Sequence, residues 1–87
     1  MEEMTLDAVN EKIVKLLERR GLLIDEIKIC SFGLALSDDK EEIVKKIRKI
    51  YEDIKSINVS ILTYNAIQTA MMNEEMNKQL EELEALL

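Results

Sequence analysis

Histidine, proline and tryptophan are absent from this sequence of 87 residues, cysteine and phenylalanine occur once each, and glycine occurs twice. Each scarcity closes a class of function. Without histidine there is no side chain that ordinarily titrates near neutral pH, so the usual general base is missing. A Ser–His or Cys–His nucleophile cannot be assembled within one chain. The lone Cys30 forbids an internal disulfide, and with no histidine beside it a structural zinc site fails on ligand count. Gly21 and Gly33 cannot make a phosphate-cradling glycine loop. The acidic run "DDKEE" at 38–42 lacks the alternating oxygen ligands and glycine of a calcium loop. The remaining carboxylates fall at helix caps or in charged helical registers, where solvation accounts for them. No enzyme activity and no cofactor are therefore expected.

Two further absences concern location. No apolar run approaches the roughly 18 residues that a membrane-spanning helix needs. The opening "MEEMTLDAVNEK" is acidic and amphipathic, whereas a signal peptide starts basic and continues apolar. A cytoplasmic protein with no membrane partner is expected.

What is present is aliphatic and charged. Hydrophobic residues make up 47% of the chain and charged residues 34%, while aromatics are only 3%. That is enough for one domain over residues 1–87 with a Leu, Ile, Val and Met core. The net charge is -6, and its position matters more than its size. Residues 5–58 hold equal numbers of acids and bases; the excess lies in Glu2 and Glu3, and in Glu74, Glu75, Glu81, Glu82 and Glu84 against Lys78. Acidic termini disfavour nonspecific binding to nucleic acid or anionic lipid.

Periodicity suggests the elements. Thr5 can cap a helix with Asp7 in its first turn. Leu6, Val9, Ile13, Leu16 and Leu17 recur at helical steps, and Gly21 supplies a left-handed stop, giving a helix over 6–20. In "LLIDEIKICSFGLAL" (22–36), Ile27 and Ile29 alternate with Glu26 and Lys28, which predicts a core strand near 26–32. Ser37 or Asp38 begins a helix to about residue 57, with Ile43, Val44, Ile47, Ile50, Tyr51 and Ile54 as its buried stripe and Asp38 with Glu41 at capping-box spacing. "NVSIL" (58–62) reads as a second short strand. From about Thr63 the chain reads as helix to its end. The expected fold is α+β, in the order α-β-α-β-α, with two short strands covered by three helices; an all-α bundle is the alternative.

The stretch "VNEKIVKLLERRGLLIDEIKICS" is similar to gas-vesicle shell proteins in its order of helix, glycine, aliphatic run, aspartate and strand, at Gly21, Leu22–Ile24, Asp25 and Ile27–Ser31. Gly33 stands one position from the second-strand glycine of that pattern. The segment 37–57 is far more charged than a shell protein's helix. No residue roles follow from the likeness.

Three candidate features remain. Cys30, between Ile29 and Phe32, is expected to be a small buried hydrophobe rather than a reactive thiol. Lys45, Lys46, Arg48 and Lys49 form a basic cluster, three of them within about 100° on one helix face. Each has an acid one turn away, and no aromatic is interleaved for base stacking, so this is the weaker reading. Met76, Leu80, Leu83 and Leu87 stand at 4-3-4, coiled-coil spacing on an acidic helix, and Met72 extends their apolar stripe. Residues 73–87 are expected to protrude and meet a protein partner or a second copy. The function expected is a small protein-interaction module (adaptor, regulator or subunit); the alternative is a nucleic-acid-binding regulator using the basic cluster.

Overall fold

The computed structural model describes residues 4–87; Glu2 and Glu3, part of the terminal acidity, lie outside them. The chain forms two helices, α1 (Leu6–Leu36) and α2 (Lys40–Ala85). They pack antiparallel as a hairpin. No strand occurs among the described residues, so the expected α+β fold with strands near 26–32 and 58–62 is corrected to all-α.

Both helices carry an unbroken seam of alternating three- and four-residue steps, the pattern of a two-stranded coiled coil. On α1 it runs Val9, Ile13, Leu16, Arg20, Leu23, Ile27, Cys30 and Leu34. On α2 it runs Ile43, Ile47, Ile50, Ile54, Ile57, Ile61, Tyr64, Gln68 and Met71. Every one of these residues is buried or half-buried. Val9, Ile50, Ile57 and Ile61 are the most deeply enclosed.

Polar contacts pin the register. Gln68 Nε2 donates to Asn10 Oδ1 at 2.6 Å, and Arg20 Nη1 donates to Asn58 Oδ1 at 2.8 Å. Ten residues forward on α1 correspond to ten residues back on α2. Near the closed end, a methyl group on Gly33 would lie 3.8 Å from the Cδ1 of Ile43, ordinary contact in the same register. The Gln68–Asn10 bond is part-buried, so a slipped pairing would leave its groups without partners, and the exposed Arg20–Asn58 bond adds to the same alignment.

The helix boundaries follow local chemistry. Thr5 Oγ1 accepts from the Ala8 N–H at 3.2 Å and caps α1, with Asp7 in the first turn as expected. Ser37 ends α1 in an extended conformation, its N–H donating to Gly33 O at 2.9 Å. Asp39 then caps α2, accepting from the Glu42 N–H at 3.3 Å, one residue later than the Asp38 and Glu41 pairing expected from the sequence.

Gly21 was expected to stop the first helix, but no glycine has a positive φ, and α1 continues for fifteen more residues. The reason lies in Leu22–Leu36. Leu23, Ile27, Cys30 and Leu34 continue the seam, so packing against α2 outweighs the helix cost of one glycine, roughly 1 kcal/mol. The alternation of Ile27 and Ile29 reflects two different helix faces. The same holds at 58–62, where Ile61 enters the seam and Val59 and Leu62 point to solvent. The helix–glycine–strand order shared with gas-vesicle shell proteins is thus not realised here.

α2 exceeds α1 by fifteen residues. In this register the start of α1 lies level with about residue 72, so the rest of α2 extends beyond the hairpin as an arm. The molecule measures 75 × 27 × 15 Å, with a radius of gyration of 20.6 Å. A compact domain of this length has about 12 Å.

A direct prediction separates a continuous helix from a glycine stop. A Cβ at Gly21 meets nothing within 4 Å. Gly21→Ala should stabilise the protein by about 0.5–1 kcal/mol in urea unfolding. Destabilisation of similar size would mean that Gly21 adopts the left-handed stop after all.

Candidate interaction surface

The arm begins where α1 runs out. Every residue from 72 to 87 is exposed. Met72, Met76, Leu80, Leu83 and Leu87 retain 49%, 64%, 54%, 61% and 107% of their surface, although they lie on a regular helix through Ala85. The stripe is not a continuation of the hairpin seam. Carried past Met71, the seam would fall at Glu75, Lys78, Glu82 and Ala85. Met72, Met76 and Leu83 each follow a seam position by one residue, about 100° further round, and Leu80 and Leu87 follow by two.

That rotated row has members along the hairpin too. Val44, Tyr51 and Leu62 occupy the same side of α2 and are 42%, 57% and 69% exposed. Val44 and Tyr51 were expected in the buried stripe of their helix, and the structure places both outside the seam. On α1, Leu17 and Ile24, each 41% exposed, lie on the corresponding flank. In an antiparallel pair, equal rotations from the seam fall on the same side of the hairpin. These five exposed apolar side chains therefore share one broad side of the hairpin, with the polar Asn58 and Asn65 among them. The opposite face is charged, with Glu26, Glu42, Lys45, Lys46, Lys49 and Asp53 around a shallow hollow.

A second exposed row runs down the back of α1, opposite the seam: Leu22, Ile29, Phe32 and Leu36, at 71%, 71%, 75% and 88%. These belong to the segment expected as core. Of that segment's ten apolar residues only Leu23, Ile27, Cys30 and Leu34 reach α2. The missed signal was a seven-residue repeat, Leu22, Ile29 and Leu36, offset from the seam.

The other candidates resolve simply. Cys30 is half-buried in the seam, between Ile27 and Leu34. No cluster of metal-ligating side chains occurs among the described residues. Lys45, Lys46, Arg48 and Lys49 are all exposed. Their acidic neighbours are one turn away, but the ion pairs formed among the described residues are Lys15–Glu11 at 3.1 Å and Lys28–Asp25 at 3.9 Å, both on α1. Among the described residues no helix is long and apolar enough to cross a membrane.

Charge divides along the rod. Residues 73–87 carry five acids and one base, whereas residues 40–49, at the closed end, carry five bases and two acids. The two ends have opposite sign. Compared with protein-family models, curated proteins and solved structures, the chain matches none.

Burial along α2 predicts a contrast. Ile57, 6% exposed, should cost about 2–4 kcal/mol when changed to Ala, whereas Leu83→Ala should cost under about 0.5 kcal/mol in dilute solution. Urea unfolding of the two variants tests this; equal costs would place Leu83 in the core of the chain's own fold.

Proposed function

We propose that this protein is a protein-interaction module of the cytoplasm, a helical hairpin that holds out its C-terminal arm as the docking element. One observation carries the reading. The arm is helical without a neighbouring helix among the described residues, and it presents an apolar stripe to water. Soluble monomers seldom leave a contiguous apolar surface of this kind uncovered. An isolated helix of about fifteen residues is also marginal in water, so a partner along the stripe would stabilise it. Methionines at 72 and 76 give the near half an adaptable surface.

The charge pattern supports protein rather than nucleic acid as partner. The arm is strongly acidic, and the basic residues of 45–49 share their helix with acids one turn away. A basic protein groove suits the arm; a phosphate backbone does not.

The test uses Leu80→Asp with Leu83→Asp. Both positions are more than half exposed, so the fold should lose only about 1 kcal/mol, mostly through helix propensity. Burying each leucine at an interface contributes roughly 1.5–3 kcal/mol. Association should therefore weaken at least about a hundredfold. Sedimentation should show the wild type larger than a monomer and the double variant as a folded monomer. If the wild type is monomeric and the variant unfolds, the stripe belongs to the chain's own core and the reading fails.

A further inference from the structure

We infer that the arm's partner is a second copy of this chain, bound antiparallel, so that each arm lies along the closed end of the other hairpin. This deepens the reading above and rests on it.

Three observations converge. The first is surface. The chain exposes 7391 Å², whereas a compact monomer of 10.1 kDa exposes roughly 5300 Å². The excess, roughly 2000 Å² per chain, is enough for an interface in the range of stable homodimers.

The second is the placement of apolar residues. Met76, Leu80 and Leu83 at one end of α2 and Val44 and Tyr51 at the other lie on one side of the same helix. Turning a second copy end over end brings Leu83 level with Val44 and Met76 level with Tyr51 when each arm tip is flush with the other's closed end. Both contacts form twice, as a two-fold axis requires. Toward the middle, Asn65 stands level with Leu62 and Asn58 with Thr69 in this alignment.

The third is charge. The arm has a net excess of four acids and residues 40–49 a net excess of three bases. The antiparallel pair brings the acidic arm to the basic end, with Arg48, one turn from Val44, on the contact side, while Lys45, Lys46 and Lys49 lie on the charged face away from it. A parallel pair would place two acidic arms side by side, which like-charge repulsion disfavours.

Rigid-helix geometry makes the test clean. Residues 44 and 83 are separated by roughly 58 Å along a single helix, so a disulfide between them must join two chains. In a Cys30→Ala background, Val44→Cys with Leu83→Cys should oxidise rapidly to a covalent dimer, while Leu83→Cys alone should not. Rapid crosslinking of Leu83→Cys alone would show arm against arm and overturn the antiparallel pairing, leaving the arm as an interface. A dimer by sedimentation that never forms the 44–83 crosslink would also overturn it. A monomer at all concentrations would overturn both this inference and self-association as the basis of function.

Discussion

Everything in this molecule depends on the seam between α1 and α2. Two helices can bury only what they place between them, and here that is one alternating row from each. Among the described residues only four side chains are enclosed to below a tenth of their surface. The aliphatic side chains of the row supply the attraction, while Asn10 with Gln68 and Arg20 with Asn58 select the alignment. A one-residue slip would rotate the whole apolar row away from its partner. The register in turn determines where α1 ends relative to α2, and so how much of α2 is left as an arm.

The seam also leaves the hairpin incomplete. A chain that is 47% hydrophobic has more apolar surface than two helices can cover. The surplus is ordered: one row follows the flank of α2 into the arm, with Leu17 and Ile24 beside it, and another follows the back of α1. The row on the back of α1 keeps heptad spacing at Leu22, Ile29 and Leu36, the arrangement by which further helices join a bundle. The physical case for association thus comes from the same periodicity that makes the hairpin.

Much of this was legible in the sequence, and some was not. Thr5 as a cap, the first helix through residue 20, the charged helix after Ser37 and the stripe from Met72 to Leu87 all follow from local spacing. The failures share a cause. Gly21 looks like a stop and Ile27–Ile29 like a strand only when short windows are read alone. Over a longer window, Val9 to Leu34 is one heptad seam and Ile43 to Met71 another, and the lack of proline leaves nothing to interrupt either. Isoleucine is the commonest residue in the α2 seam; its β-branching suggests strands, but packing decides. Val44 and Tyr51 were misplaced for a related reason. A helix with two adjacent apolar rows reads as one broad buried face until its partner's width is known.

The central claim, an antiparallel two-helix seam in one register, is tested most directly by nuclear Overhauser contacts between side chains. The account predicts a ladder in which paired residue numbers sum to about 77, including Leu16 with Ile61, Leu23 with Ile54 and Ile27 with Ile50. Backbone Hα–Hα contacts between residues 26–32 and 58–62, the mark of paired strands, would contradict it.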